Sequence, residues 1–181
     1  MRSRTSKMIT YSTDTGKQSI KDYEFTRKIA IKEFGTSTDK NQWHPTEEDS
    51  VFVMNNLPEC MNIIRDDDNF IGFTLIIPST RELMDNFINK EINENDLWLA
   101  VKNRKVTLDN FSAIYLCSAI IDKNYRRRGL SSNGFVKSIR KLIGKKNVKP
   151  ILFYWAYSNE GKLVADKVAK ILNLKLEKRI E

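Results

Sequence analysis

Apolar and polar positions along this chain switch repeatedly between a period of about two and a period of about three and a half. They therefore predict strands interleaved with helices. Residues 1–19 are polar, with Ser, Thr and Lys prominent. A short strand is predicted near residues 8–11, with loose chain around it, residues 1–7 included. A helix is predicted over residues 22–34. Phe25, Ile29 and Phe34 form its apolar face, and Gly35 supplies a C-terminal stop. Residues 36–46 read as a loop ending in Trp43, His44 and Pro45, and a second helix is predicted over 47–57. A hairpin follows, with β-type runs at 61–65 and 70–77 around the turn Asp66, Asp67, Asp68 and Asn69. Pro78 is expected to end its second strand. Ser79 and Glu82 have capping-box spacing, and the helix after them carries Leu83, Met84, Phe87 and Ile88 on one face. Residues 93–109 read as a polar connection interrupted by the apolar run 97–101.

The C-terminal half is more sharply patterned. Residues 114–121 form a nearly continuous apolar run, which predicts a largely buried strand. A charged turn follows, made of Asp122, Lys123 and Asn124. Then come Tyr125, three arginines (Arg126, Arg127, Arg128), Gly129, Leu130, Ser131 and Ser132. Directly after them Phe135, Ile139, Leu142 and Ile143 recur at helical spacing. Residues 151–156 predict another strand. Residues 161–172 predict a last helix, with Val164, Val168, Ile171 and Leu172 aligned, and 174–176 a last short strand. No internal repeat or low-complexity segment is present.

A chain of 181 residues is expected to form one domain, 1–181, with a real core. Hydrophobic residues at 40%, with four prolines and seven glycines, argue against disorder. The net charge of +8 favours acidic ligands, and both nucleotide phosphates and nucleic acids qualify. The lysines are spread along the chain, so general lysine enrichment accounts for much of that charge. Cys60 and Cys117 make no disulfide framework, and no Cys/His cluster has zinc-ligand spacing, so no metal is expected. A reducing, cytoplasmic setting fits. The basic N-terminus is followed by no apolar stretch, so no signal peptide is expected, and no segment has the apolar length of a membrane span.

A strand that feeds a helix through a basic, Gly-bearing turn is a ready site for phosphate. The first N–H groups of the helix lack intrahelical partners, and the helix dipole adds partial positive charge there. Arg126, Gly129 and Ser131 have the spacing R-x-x-G-x-S. This resembles the acyl-CoA-binding signature Q/R-x-x-G-x-G/A of the GNAT N-acetyltransferase superfamily. Two departures stand out: Lys123 occupies a position where relatives often have proline, and Ser131 replaces Gly or Ala.

The resemblance covers residues 7–176 and implies an α/β fold, a mixed central sheet with flanking helices. The capping-box helix would be an insertion. The hairpin that usually closes the family's sheet has little sequence left to form it. Either it is truncated or a second subunit completes the sheet, as in a homodimer.

The resemblance also implies a ligand, acetyl-CoA as acyl donor, and an amine acceptor. The acyl-pantetheine arm would add to the exposed backbone of Ala119, Ile120 and Ile121. Backbone N–H groups of Arg127, Arg128, Gly129, Leu130, Ser131 and Ser132 would hold the pyrophosphate, aided by the side chains of Arg126 to Arg128. Asn159 matches an asparagine that helps hold the cofactor in relatives, and its position also suits a helix cap. The tyrosine that many relatives place two turns later, as general acid, is missing. Tyr157 and Ser158 are the nearby hydroxyls that could serve in its place, and solvent is the other source of the proton.

Candidates for the base are Glu33, Asp66, Asp67 and Asp68, each expected to be a solvated surface or turn residue first. Cys117 reads as a buried, inert thiol, and His44 as a loop anchor. The aromatics Phe153, Tyr154, Trp155 and Tyr157 would line an acceptor pocket or pack in the core.

Two rival readings remain open. One is a basic nucleic-acid-binding module, with Arg126 to Arg128, Lys137, Arg140, Lys141, Lys145 and Lys146 on phosphates; no recognition helix or RNA-binding signature accompanies them. The other is a relative that binds CoA without turnover. Specific nucleic-acid binding and membrane association are not expected.

Overall fold

Strands β1 (Ile9–Tyr11), β2 (Met61–Asp66), β3 (Asn69–Ser79), β4 (Ala113–Ile121), β5 (Ile151–Trp155) and β6 (Leu176–Arg179) lie in that order across one open sheet. The arrangement comes from a computed structural model that describes residues 8–35, 39–144, 146 and 148–180. Residues 1–7, expected to be loose chain, lie outside the described residues, as do 36–38 and Lys145 of the basic face. Strands β1 to β4 pair antiparallel, whereas β4–β5 and β5–β6 are parallel. Each parallel step needs a crossover, and helices supply it. The helices are α1 (Ser12–Thr15), α2 (Ile20–Phe34), α3 (Glu47–Asn56), α4 (Arg81–Ile88), α5 (Glu94–Lys102), α6 (Leu130–Ile143) and α7 (Asn159–Leu172). The protein is thus α/β, a six-stranded mixed sheet with flanking helices. Among the described residues no helix is long and apolar enough to cross a membrane.

Alternation along β2 and β3 sends side chains to two layers. On one face α6 lies almost on the backbone of the sheet. Asn62 Nδ2 donates to the carbonyl of Gly134 at 3.1 Å, and a Cβ on Gly134 would come within 2.8 Å of Thr74 Oγ1. On the other face Met61, Phe73 and Leu75 look into a cleft walled by α2 and α3. The aromatic rings of Tyr115 and Phe153 sit 5.1 Å apart across β4 and β5, with Phe87 of α4 against both. Arg179 of β6 is buried there. Its Nη1 donates to the carbonyls of Phe87 and Ile92 at 3.0 Å, which ties the α4–α5 segment to the sheet.

Several expectations are corrected. Helix α2 begins at Ile20, capped by Ser19, and buries Asp22, Tyr23 and Thr26. Phe25 is exposed and meets Phe70 edge-on at 4.8 Å, so a three-residue apolar pattern picks the wrong face. Pro78 lies within β3, opposite Ile114. Pairing with β2 ends at Leu75, so the missing N–H of Pro78 breaks no bond to that neighbour. The cap of α4 is Thr80, which accepts from Leu83 N, and Ser79 stays in the strand. Residues 93–109 are not a bare connection. They contain α5, opened by a capping box of Asn93 and Asp96. Ile171 of α7 is exposed, and the last strand falls at Leu176–Arg179 rather than 174–176.

Candidate functional site

Strands β4 and β5 pair at three positions only: Ala113 with Ile151, Ile114 with Leu152, and Tyr115 with Phe153. Beyond Phe153, β5 follows β6 as far as Trp155 with Arg179, while β4 continues alone on that side to Ile121. The two strands therefore part. Burial along β4 records this: Ala113 to Leu116 are buried, whereas Cys117, Ser118, Ala119 and Ile120 are half-buried. The β3–β4 register also slips here, and Cys117 has no Cα partner on β3. An open backbone edge results, a place where an extended chain can add as another strand.

The edge runs into a turn fixed from several sides. Asp122 Oδ1 accepts from Asn124 N at 2.8 Å. Tyr125 donates its hydroxyl to Asp66 Oδ2 at 2.6 Å. Arg126 Nε donates to the carbonyl of Ile121 at 3.0 Å, and Arg128 Nη2 to that of Asn124 at 3.0 Å. Leu130 is buried in a small cluster with Tyr11, Ile64, Ile71 and Ile121, which anchors the start of α6. Arg127 and Gly129 are both left-handed, with φ of 62° and 74°. Gly129 is the N-cap of α6 and makes no side-chain cap bond. The N–H groups of the first turn, through Ser131 and Ser132, are left without intrahelical acceptors. Arg126, Arg127 and Arg128 are exposed. A Cβ on Gly129 would lie 3.4 Å from Lys167 Nζ, so α7 brings a further cation over the turn. Sequence reasoning does not find Lys167, because only the packing of α7 on α6 brings it there.

Residues after β5 divide the roles expected of them. Ser158, not Asn159, caps α7, its Oγ accepting from Gly161 N at 3.0 Å. Asn159 is the exposed first residue of that helix. Tyr157 is 47% exposed and lies with its ring 4.7 Å from Trp155 and 6.5 Å from Phe34. Burial and then the Glu94 carboxylate push its hydroxyl pKa up, so it stays protonated at neutral pH. Phe153 and Tyr154 are core residues.

Tyr157, Cys117 and Ser118 all line one cleft. Its walls include Tyr23, Phe34, Trp43 and Phe73. Burial pushes the Cys117 thiol pKa up; the half-buried side chain packs against the core and also lines the cleft wall. His44 is exposed, and its neighbour Trp43 anchors the loop, stacked on Trp98 at 4.4 Å. Of the expected bases, Glu33, Asp67 and Asp68 are exposed, while Asp66 is buried in β2 rather than in a solvated turn.

Two other carboxylates line the cleft. Asp49 of α3 accepts from Trp98 Nε1 at 2.9 Å and Lys102 Nζ at 3.0 Å. Burial raises its pKa, but hydrogen bonds from Thr46, Lys102 and Trp98 outweigh this and hold it below the usual value. Glu94, the first residue of α5, is buried. Its Oε1 accepts from the Tyr115 hydroxyl at 2.6 Å and its Oε2 from Trp43 N at 2.9 Å. Burial pushes its pKa up, against the opposing pull of those bonds and of Arg179. The sequence signal that could have found Glu94 is the Asn93–Asp96 capping box, which marks a helix where polarity suggests a connection. Among the described residues no group of three or more His, Cys, Asp and Glu is placed to hold a metal ion. No family model matches this chain, and a search of curated proteins gives no significant match.

Proposed function

We propose that this protein is an N-acyltransferase of the GNAT kind, which transfers an acetyl group from acetyl-CoA to a primary amine in a ternary complex. The reading is carried by one observation. The open edge of β4, left where β5 parts from it, leads straight into a left-handed Gly129 turn at the N-terminus of α6. The pantetheine arm would lie along Ala119, Ile120 and Ile121. The pyrophosphate would rest on the N–H groups from Arg127 to Ser132, with Arg126, Arg127, Arg128 and Lys167 around it. Asn159, at the start of α7, would contribute from the other side of the gap. The amine attacks the thioester carbonyl from the cleft. Positioning and β4 backbone donors near the unpaired Cys117 lower the barrier. Tyr157, in the cleft and protonated, is the better candidate to give the leaving thiolate a proton. The Ser158 oxygen is already engaged as a helix cap. The free cysteines suit a reducing cytoplasm.

A thermal-shift experiment with acetyl-CoA, CoA and duplex DNA tests this, since a ligand that binds only the folded form raises Tm. Acetyl-CoA is expected to stabilise the protein, and Gly129→Asp to remove that effect while the apo-protein still folds. Aspartate tolerates a left-handed backbone better than most residues, yet it sets a negative charge where phosphate must sit. Unchanged acetyl-CoA binding in a folded Gly129→Asp variant overturns the proposal. DNA binding is expected to be weak and to vanish as salt rises. Tight DNA binding at physiological salt with no response to CoA would favour a nucleic-acid-binding module.

A further inference from the structure

We infer that the acceptor is a primary monoamine on an apolar, ring-sized body, and that Glu94 receives its ammonium group. This rests on the acyl-transfer reading for its reaction, but the cleft that carries it is defined independently.

The cleft lies beside Cys117 and Ser118, where β4 and β5 part, so a molecule seated in it meets the open strand edge. Its walls are mainly apolar and aromatic, with Tyr23, Phe34, Trp43 and Phe73 on several sides. Burying a ring there removes apolar surface from water, which favours binding. Of the charged groups in the wall, two are already matched. Asp49 is paired with Lys102 at 3.0 Å, and Arg27 with Glu47 at 3.3 Å. Glu94 is different. It is 7% exposed and accepts two neutral hydrogen bonds, and no ion pair to it occurs among the described residues. Arg179 acts on it only at longer range and makes no ion pair with it, so the buried carboxylate is costly, and an ammonium group entering the cleft supplies a paired charge. A polyamine is disfavoured. Its second ammonium would find Asp49 already paired and Arg27 in the same wall.

The step balances without any further reactant. The ammonium gives one proton to the Glu94 carboxylate. The freed nitrogen lone pair forms a bond to the thioester carbonyl carbon. The C–S bond breaks with its electron pair on sulfur. The nitrogen's second proton ends on that sulfur, passed by way of the Tyr157 hydroxyl, and Glu94 releases its proton to solvent. The products are the N-acetyl amine, CoA thiol and one proton.

The test uses phenethylamine, with spermidine and a lysine-containing peptide as rivals. Binding is read from the fluorescence of the stacked Trp43 and Trp98 without acyl donor, and turnover from release of CoA thiol. Phenethylamine is expected to perturb the fluorescence and to be acetylated more efficiently than either rival. Glu94→Gln should weaken its binding about tenfold, the scale of losing a hydrogen bond to a charged group. That variant can keep both existing bonds, its carbonyl accepting from Trp43 N and its amide donating to the Tyr115 oxygen. Ala30→Phe, which fills the cleft from α2, should abolish amine binding while acetyl-CoA still raises Tm. Preference for spermidine or the peptide overturns the inference. So does phenethylamine binding that neither variant weakens. If acetyl-CoA binds and phenethylamine does not, the acceptor inference fails alone. If phenethylamine binds the cleft and acetyl-CoA gives no stabilisation, the acyl-transfer reading fails and an amine-binding cleft remains.

Discussion

At the scale of single residues, neighbouring hydroxyls have different work. Ser158 satisfies the N–H of Gly161 and so stabilises α7. Tyr157 makes no such cap; it faces the cleft with a hydroxyl held in its protonated form. Two substitutions therefore separate the roles. Tyr157→Phe is expected to lower turnover of an accepted amine about 10²-fold or more, the usual scale for a general acid. Acetyl-CoA affinity should hardly change, because the proton is needed in the transition state. Ser158→Ala is expected to keep turnover and to cost about 1 kcal/mol of stability, as loss of an N-cap does. Steady-state kinetics beside urea denaturation checks both. Full turnover in Tyr157→Phe would leave solvent as the proton source. Sequence alone names both hydroxyls but cannot rank them, since the ranking depends on where α7 starts. Glu94 is a harder case. Its burial follows from contacts with Trp43 and Tyr115, which are far from it in sequence.

At the scale of elements, the sheet and α6 meet at a point where a side chain has been omitted. Glycine in a helix interior normally costs about 1 kcal/mol relative to alanine, so Gly134 needs a reason. It has one, because a Cβ would fall 2.8 Å from Thr74 Oγ1 and 2.9 Å from Thr74 Cγ2. Gly134→Ala is thus expected to destabilise by roughly 1–3 kcal/mol, the cost of overpacking. Thr74→Ala on its own should cost less, and the double variant should recover most of the loss. A double-mutant cycle by denaturant unfolding measures that coupling. If Gly134→Ala raises stability instead, α6 does not lie this close to β3. The strand, turn and helix around Gly129 are legible in the sequence because each is a local pattern: an apolar run, a Gly-bearing turn, then helical spacing. The parting of β4 from β5 is not legible, because it is a difference in pairing between strands. Helix α5 is missed for another reason. Its capping box and its Leu97, Trp98 and Val101 face sit within a polar stretch that obscures the period.

At the scale of the whole molecule, the helices over the cleft are joined by a charged contact that should make the fold acid-sensitive. Asp49 closes the capping box of α3 with Thr46 and bonds Trp98 and Lys102 of α5, linking two elements distant in sequence. Its folded pKa is lowered. A lowered pKa contributes stability that is present in full above the unfolded value, about 3.9 for aspartate, and is lost as pH falls through the folded value. Glu94 works the other way. Its folded pKa is raised, so its contribution is present in full below the unfolded value, about 4.3 for glutamate, and is lost as pH climbs through the folded value. The two windows adjoin, Asp49 losing its share below about pH 3.9 and Glu94 above about pH 4.3, and a single pH profile would carry both. Subtracting the profile of Asp49→Asn from that of the native protein isolates the Asp49 share. At pH 7 this variant is expected to be less stable by roughly 1.5–3 kcal/mol, the scale for hydrogen bonds to a charged group. It leaves an amide facing the Trp98 and Lys102 donors. The difference should shrink as pH falls below about 3.9, where Asp49 of the unfolded chain takes up a proton while native Asp49 still resists one. Denaturant melts from pH 3 to 7 read this directly. A difference that stays constant over that range would mean that the Asp49 charge contributes nothing and that only its shape matters to the cap.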